Sequence, residues 1–331
     1  MSSSELPPGG ERFLADTQWK GATVHPLPGD ASFRRYFRLR KGASSAMLMF
    51  APPPHEDPEP FLTVAKWLCD NGFRAPDIIA QDAGKGFVLL EDFGDIRLRE
   101  WLDDRPQDEE ALYGKAVDTL VALREAPTPE FDQYNLPTYL REARLFVEWY
   151  CEALDLTVDE SGWERAWEDV LQPVMLRQDE GICVLRDYHA ENIMLVHPGG
   201  DAAPEQGLID FQDALAGHPA YDLVSLLQDA RRDVSPETEV AMIDRYLERT
   251  GEGEQFRADY AILGAQRNAK IVGIFVRLAR RDGKGHYLRM IPRVWRLFER
   301  DLLHPALQPV ADWFDANIPA DVRKNYGGIS E

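Results

Sequence analysis

At the centre of this sequence stands Val184-Leu-Arg-Asp-Tyr-His-Ala-Glu-Asn-Ile-Met-Leu195, which is followed by Leu208-Ile-Asp-Phe-Gln-Asp213. Short apolar runs, each long enough for one buried strand, flank the polar residues of both segments. The connection at residues 197–206 contains the Pro, Gly and Asp residues that are typical of a turn. We therefore predict a β-hairpin that gathers three polar side chains near one end: Asp187, Asn192 and Asp210.

Two carboxylates and one amide in this pattern are suited to phosphoryl transfer. Asp187 would orient an acceptor hydroxyl and take its proton, while Asn192 and Asp210 would hold Mg²⁺ on the nucleotide phosphates. Asp187 and Asn192 are five positions apart, as the Asp and Asn of kinase catalytic loops are. The alternative is a polar hairpin with an Asx-turn, and the strand context favours the catalytic interpretation.

The first segment resembles the Brenner motif of the aminoglycoside phosphotransferase/choline kinase superfamily. Gly217-His-Pro-Ala-Tyr-Asp-Leu-Val-Ser-Leu-Leu227 resembles the part that follows the motif there. Three segments resemble one branch, the N-acetylmuramate/N-acetylglucosamine anomeric kinases of cell-wall recycling: Gly29-Asp-Ala-Ser-Phe-Arg-Arg-Tyr36, Leu90-Glu-Asp92 and Asp210-Phe-Gln-Asp-Ala214. The similarity extends over roughly residues 19–293.

The order of the elements and the resemblance both predict an α+β, protein-kinase-like bilobal fold. Five strand-like segments precede Glu91, and mostly helical segments follow it. We expect a small sheet-bearing N-lobe at residues 11–92, which covers the nucleotide. A larger helical C-lobe at residues 93–331 would carry the catalytic loop and the metal and substrate sites, with the active site between the lobes.

The nucleotide is expected to contact a turn and a hinge. Between two predicted strands, a small-residue turn could present backbone N–H groups to phosphate oxygens, with two arginines adding charge. An ordinary hairpin with a solvated basic edge is the alternative. The resemblance implies that main-chain groups after the last strand of the sheet bind adenine. The residues concerned are Gly29, Asp30, Ala31, Ser32, Phe33, Arg34, Arg35, Glu91, Asp92 and Phe93.

The third predicted strand departs from the protein-kinase pattern. It reads Ala46-Met-Leu-Met-Phe50 and has no lysine to hold the nucleotide phosphates. Arg34, Arg35 or Arg38 could supply this cation, through a planar fork in place of a point charge.

Four further residues are candidates for binding the substrate. Arg186 would lower the pKa of a nearby carboxylate, or it would meet the transferred phosphate or a substrate anion. Asp213 would hold a second metal ion or bond the sugar, or else cap the following helix. Arg267 and Lys270 lie on one face of a predicted helix at residues 259–281. They would line the sugar pocket and meet a lactyl carboxylate, or pair with acidic neighbours on an exposed stripe.

Two residues near the catalytic segment are expected to be structural. His189 would pack in the loop and bond loop carbonyls. The resemblance implies that Asp222 bonds backbone groups of the catalytic loop without reacting.

Composition excludes several other classes of protein. The net charge of −20 argues against binding to nucleic acid or to an anionic membrane. The three cysteines are widely spaced, which disfavours zinc sites and disulfides and is typical of a reducing cytoplasm. The sequence has no secretory signal pattern and no apolar run long enough to span a membrane. It also lacks a P-loop lysine motif and a Gly-x-Gly-x-x-Gly segment after a strand.

The sequence therefore predicts a cytoplasmic, ATP-dependent and Mg²⁺-requiring kinase whose partner is a small-molecule sugar. From the resemblance, the acceptor is expected to be the anomeric hydroxyl of N-acetylmuramate and N-acetylglucosamine. One alternative is another hydroxyl kinase of the superfamily, acting on an aminoglycoside, choline or homoserine. A second alternative is a nucleotide-binding pseudokinase that serves as a scaffold.

Overall fold

The computed structural model describes residues 6–29, 33–196 and 204–329. The chain forms two compact units: the first contains residues up to Trp101 together with Glu191–Asp213, and the second contains Leu102–Ala190 together with the residues from Ala214 onward. The lobes expected at residues 11–92 and 93–331 stay a prediction. The first unit extends past residue 92 because Ile96 and Arg97 bond to the segment around residue 194.

Strands make up a minor part of the described chain. Their bounds are β1 Thr23–Pro26, β2 Arg35–Lys41, β3 Ser44–Phe50, β4 Ile78–Asp82, β5 Phe87–Glu91, β6 Ile182–Val184, β7 Ile193–Val196, β8 Glu205–Leu208 and β9 Leu215–Gly217. In the first unit, β1 to β5 form one antiparallel sheet in the order β1-β2-β3-β5-β4. The prediction of five strands up to Glu91 is confirmed.

Helices account for most of the second unit. The bounds of the α-helices are α1 Gly10–Leu14, α2 Glu59–Asp70, α3 Leu98–Asp104, α4 Glu109–Glu125, α5 Leu136–Leu145, α6 Glu160–Gln178, α7 Ala220–Leu227, α8 Pro236–Thr250, α9 Gln255–Asp282, α10 Ile291–Asp301, α11 Gln308–Asn317 and α12 Ala320–Lys324. A π-helix, Phe146–Cys151, continues α5. In the described residues, no helix has both the length and the apolar character that a membrane span requires.

One core cluster of the first unit lies on one face of the sheet, where alternate side chains of its strands meet. Phe37 and Leu39 of β2 pack with Leu48 of β3 and Leu89 of β5. Helix α2 buries Phe61, Val64 and Leu68 at helical spacing. It ends before Gly72, whose φ of 81° is the left-handed conformation that favours glycine.

The predicted hairpin around the polar segments is formed by β7 and β8. These strands pair antiparallel, with Ile193 opposite Leu208 and Met194 opposite Gly207. Gly207 lies directly under the Phe93 ring, where a Cβ atom would come within 2.5 Å of a ring carbon. Glycine is therefore needed at this position so that the hairpin can pack against the segment that follows β5.

In the second unit, β6 pairs with β9, a strand that the sequence analysis did not predict. Helix α9 begins four residues earlier than predicted, at Gln255, and is 28 residues long. Its interior buries the polar residues Gln266, Arg267 and Asn268. Polar groups so deep in a helical core require hydrogen-bond partners, because unpaired burial is costly.

Replacing Gly207 by alanine is expected to destabilise the first unit by about 1–3 kcal/mol, because the new methyl group would overpack against Phe93. Urea unfolding measures the change. Gly84→Ala is the matched control, since the atom nearest to its Cβ position is 3.9 Å away. A Gly207→Ala protein as stable as the control would show that the contact with Phe93 does not constrain the hairpin.

Candidate active site

Asn192 and Asp210 lie side by side at one end of the β7–β8 hairpin. Asn192 directly precedes β7, Asp210 follows β8 by one residue, and the Ile209 N–H donates to the Asn192 carbonyl oxygen at 3.1 Å. The side-chain amide nitrogen of Asn192 is 3.4 Å from Oδ2 of Asp210. Strand pairing thus brings together two oxygen-bearing side chains that are 18 residues apart in the sequence.

The backbone of Asp210 adopts a left-handed conformation, with a φ of 60°. The next residue, Phe211, is buried and stacks on Phe61 of α2 with ring centroids 5.0 Å apart. Gln212 donates its amide to Oδ1 of Asp210 at 3.0 Å and lies 3.4 Å from a carboxylate oxygen of Asp213. The stacked Phe211 ring anchors the backbone next to Asp210, and the Gln212 amide contacts the Asp210 carboxylate.

Asp213 does not cap a helix. The residues after it form β9, and α7 begins only at Ala220. The expectation of a helix cap at Asp213 is therefore wrong, because the pairing of β9 with β6 keeps this segment extended. A contact between Asp213 and a metal ion or a sugar stays a prediction.

Asp187 belongs to the second unit, in the loop that follows β6. The preceding residue, Arg186, has a φ of 70°, which turns the loop sharply. The N–H groups of Leu185 and Arg186 donate to the two carboxylate oxygens of Asp222 at 2.6 and 2.8 Å. Burial raises the pKa of Asp222 to about 7, although the two N–H donors and Arg267 oppose this rise.

The Asp187 side chain is 51% exposed and lies among cations. A guanidinium nitrogen of Arg267 is 3.5 Å from its Oδ1 atom. Partial burial raises the pKa of Asp187, but attraction to Arg267, Lys270 and Arg186 outweighs this effect and leaves the pKa below its ordinary value. Asp187 is thus a weak base that remains ionised at neutral pH. Its expected convergence with Asn192 and Asp210 stays a prediction.

Glu142, on the buried face of α5, organises the cations near this loop. Its carboxylate pairs with the Arg186 guanidinium, lies 3.1 Å from the Lys270 ammonium and accepts a hydrogen bond from the Tyr134 hydroxyl. Lys270 also lies 3.2 Å from the Tyr221 hydroxyl oxygen. Burial raises the pKa of Glu142, but Lys270 and Arg186 together lower it by more than burial raises it. The net shift of the pKa is therefore downward.

His189 is buried in the same loop, with its Nε2 atom 3.3 Å from a guanidinium nitrogen of Arg231. Its backbone N–H donates to the Asp187 carbonyl oxygen at 3.1 Å. Burial lowers the pKa of His189, with Arg231 acting in the same direction against Asp229. A buried, neutral imidazole with these contacts has the environment expected of a structural histidine.

On the side expected to bind the nucleotide, residues 30–32 (Asp30, Ala31 and Ser32) lie outside the described residues. Gly29 and Phe33 flank them and are exposed. The Phe33 ring stacks on His55, and the backbone N–H of Phe33 donates to a carboxylate oxygen of Glu56 at 3.2 Å. Glu56 also pairs with Arg34 at 3.1 Å. The segment after residue 32 is thus held by the loop that precedes α2.

Arg38 of β2 is bound to the segment after β5. Its guanidinium pairs with Asp92 at 2.8 Å and Asp95 at 2.7 Å, and donates to the Gly94 carbonyl oxygen at 3.0 Å. Glu91, the last residue of β5, pairs with Arg74, whose guanidinium lies 4.6 Å from the centre of the Phe93 ring. The side chains of the expected adenine hinge are therefore engaged in contacts with Arg38 and Arg74 that hold this segment in place.

The three arginines considered as phosphate ligands differ in their contacts. Arg38 and Arg34 are both neutralised by carboxylates. The Arg35 guanidinium lies 5.0 Å from the centre of the Phe37 ring and, among the described residues, is in no ion pair. Arg35 is therefore the most available of the three for an anion.

Comparison with known proteins identifies the family. The model of a phosphotransferase enzyme family, APH, matches residues 23–260. The chain belongs to this family. An N-acetylmuramate/N-acetylglucosamine kinase of Caulobacter vibrioides is 37% identical over 97% of this phosphotransferase and 99% of its own length. A kinase of the same name from Pseudomonas aeruginosa is 38% identical over 84% of this chain and 83% of its own.

Two solved structures share the fold of this phosphotransferase. The gentamicin complex of APH(2'')-IIa aligns with a TM-score of 0.63 at 15% identity, covering 89% of this chain and 99% of that one. The choline kinase LicA of Streptococcus pneumoniae aligns with a TM-score of 0.56 at 14% identity, covering 82% of this chain and 92% of that one. The predicted superfamily and the predicted α+β, kinase-like fold are both confirmed.

Two polar residues that organise the site of this phosphotransferase were missed in the sequence. Glu142 lies between Tyr139 and Ala143 on the buried face of α5, so a carboxylate at an apolar helical position was the available signal. Gln212 had no such signal, because its role depends on the turn of the backbone at Asp210.

Removing the Glu142 carboxylate by substitution with alanine is expected to destabilise the protein by about 3–5 kcal/mol, because two mostly buried cations lose their partner. Since the folded pKa of Glu142 is lowered, its contribution is full above the unfolded value of about 4.3 and is lost as the pH falls through the folded value. Unfolding measured between pH 7 and pH 3 tests both statements. Glu148→Ala, at an exposed ion pair with Arg144, is the control and is expected to cost less than about 1 kcal/mol.

Proposed function

We propose that this phosphotransferase transfers the γ-phosphate of ATP to the anomeric hydroxyl of N-acetylmuramate and N-acetylglucosamine. The observation that carries the proposal is the similarity, over nearly the full length of both chains, to a kinase named for these two sugars. An AMP complex of choline kinase LicA and an ADP complex of APH(2'')-Ib support an adenine nucleotide as the donor.

Asp187 is the proposed residue that orients the acceptor hydroxyl. Its carboxylate is half exposed and therefore accessible to a substrate. Its lowered pKa keeps it ionised, so that it can accept the hydroxyl proton at neutral pH. The orientation of the hydroxyl is its main task, since a carboxylate surrounded by cations is a weak base.

Asn192 and Asp210 are the proposed ligands of Mg²⁺. They fit this ion because their oxygen-bearing groups are adjacent and both side chains are at least partly exposed. Mg²⁺ is usually held by one or two protein ligands together with substrate phosphates. When bound, the ion supplies positive charge to the phosphates during transfer. Gln212 would keep the Asp210 carboxylate in its binding orientation.

The charges around Asp187 favour sugars over cationic acceptors. Arg186, Arg267 and Lys270 are the cations that act on its carboxylate. Choline or an aminoglycoside would approach these like charges, which is unfavourable. Glu142 neutralises part of the positive charge. We therefore expect both a neutral sugar and an anionic one to be accepted, with Lys270 as the candidate for meeting the lactyl carboxylate.

Phosphate transfer to a panel of acceptors tests the proposal. N-acetylmuramate and N-acetylglucosamine are expected to be phosphorylated, whereas choline, homoserine and aminoglycosides are not. Asp187→Asn should lower kcat by about 10²–10⁴-fold, because the hydroxyl loses its acceptor carboxylate. Turnover of a cationic acceptor without turnover of the sugars would overturn the acceptor assignment. ATP binding without transfer to any acceptor would favour a nucleotide-binding scaffold.

The metal ligands are tested separately by titrating Mg²⁺ at a fixed ATP concentration. Asp210→Asn is expected to raise the half-saturating Mg²⁺ concentration by at least about 10-fold, because a charged ligand is lost. Asp213→Asn is the matched comparison on the same loop. Equal effects of the two substitutions would assign Asp213 to the metal as well, and an unchanged Mg²⁺ requirement in Asp210→Asn would exclude Asp210 as a ligand.

A further inference from the structure

We propose that Arg267 is a positioning residue that fixes the orientation of the Asp187 carboxylate. The inference rests on the proposed role of Asp187 in orienting the acceptor hydroxyl. It assigns to Arg267 a function through Asp187, in place of the direct contact with the sugar that the sequence had indicated.

Arg267 is held rigidly within the second unit. One guanidinium nitrogen donates to the Ser225 hydroxyl oxygen at 2.8 Å. The Ser225 hydroxyl in turn donates to the carbonyl oxygen of Arg186 at 3.3 Å. The same guanidinium nitrogen lies 3.5 Å from Oδ1 of Asp187. Arg267 therefore links α7, the backbone of the loop and the Asp187 carboxylate.

The difference in exposure between the two partners distinguishes positioning from substrate binding. The Arg267 side chain is 4% exposed, whereas that of Asp187 is 51% exposed. A guanidinium with so little accessible surface has almost none to offer to a sugar. The exposed carboxylate keeps one side open while Arg267 approaches the other, and this arrangement suits a group that must present a lone pair in a fixed direction.

The backbone of the loop is already fixed by α7. The Asp222 carboxylate accepts hydrogen bonds from the N–H groups of Leu185 and Arg186, and the Ser225 hydroxyl donates to the carbonyl oxygen of Arg186. These bonds fix the backbone of the loop and do not involve the side chain of Asp187. The ion pair with Arg267 acts on the carboxylate itself.

Charged and titratable groups surround Asp187 on each neighbouring segment. Arg186 and His189 belong to its own loop, Arg267 and Lys270 to α9, and Asp222 to α7. Among the charges that lower the pKa of Asp187, Arg267 makes the largest contribution. The pair thus keeps the carboxylate ionised as well as oriented.

Steady-state kinetics of Arg267→Met test the proposal. We expect kcat to fall about 10–100-fold, because the carboxylate is no longer aligned with the hydroxyl. KM for ATP and for the sugar should stay within about threefold, since neither substrate contacts Arg267. The acid limb of the kcat–pH profile should move to higher pH. Arg281→Met, on the same helix and paired only with Asp282 among the described residues, is the control with unchanged kinetics.

Two further variants keep the test decisive if Arg267→Met folds poorly. Arg267→Lys retains the charge and should restore most of kcat and the acid limb. Ser225→Ala removes the anchor of the guanidinium and should lower kcat severalfold without moving the acid limb as far. Wild-type kinetics in Arg267→Met, or a raised KM for the sugar with kcat unchanged, would overturn the proposal.

A double-mutant cycle shows whether Arg267 acts through Asp187. In an Asp187→Asn background, Arg267→Met should cause little further loss, because the carboxylate that it orients is absent. The two hypotheses fail separately. Full activity of Asp187→Asn would overturn the role of Asp187, whereas equal losses from Arg267→Met in both backgrounds would overturn positioning and leave the role of Asp187 intact.

Discussion

One buried carboxylate, Asp222, receives two consecutive backbone N–H groups, and the loop that carries Asp187 depends on this interaction. The left-handed conformation of Arg186 costs about 1–2 kcal/mol, and a buried carboxylate without donors would be costlier still. Two hydrogen bonds offset both costs, because the turned backbone presents the N–H groups of Leu185 and Arg186 to the Asp222 carboxylate. From this fixed turn, Arg186 reaches Glu142 and Asp187 reaches Arg267.

The polar network in the second unit shows how an acidic protein can surround one of its carboxylates with cations. The chain has a net charge of −20, yet Arg186, Arg267 and Lys270 all act on Asp187. In a buried setting, charges interact more strongly than at the surface, so these few cations outweigh distant acidic residues. Glu142 keeps the cluster stable by pairing with two of them. The net charge of the whole chain is therefore a poor guide to the acceptor.

Much of the fold followed from local patterns, whereas the contacts that hold the site did not. The five strands of the sheet and the β7–β8 hairpin were predicted from apolar runs and turn residues, because these patterns are a local property of the chain. Strand β9 was missed because three residues, Leu215–Gly217, are too few to show a period, and its partner β6 is distant in sequence. Glu142 and Gln212 act through tertiary contacts, which a single sequence does not display. Arg38 was one of three arginines considered in place of the missing lysine, and its pairing with Asp92 and Asp95 could not be read from the sequence.

A base surrounded by cations is poorly suited to removing a proton, but the proposed reaction does not require a strong base. Phosphoryl transfer passes through a loose transition state in which the attacking oxygen has formed little bonding, so alignment contributes more than proton removal. An anomeric hydroxyl is also more acidic than an ordinary alcohol, which further reduces the demand on Asp187. The cations lower the basicity of this carboxylate, and one of them, Arg267, is placed to fix its direction. The loss of basicity therefore has little effect on the rate of transfer. A rotated carboxylate, in contrast, would misalign the acceptor oxygen itself.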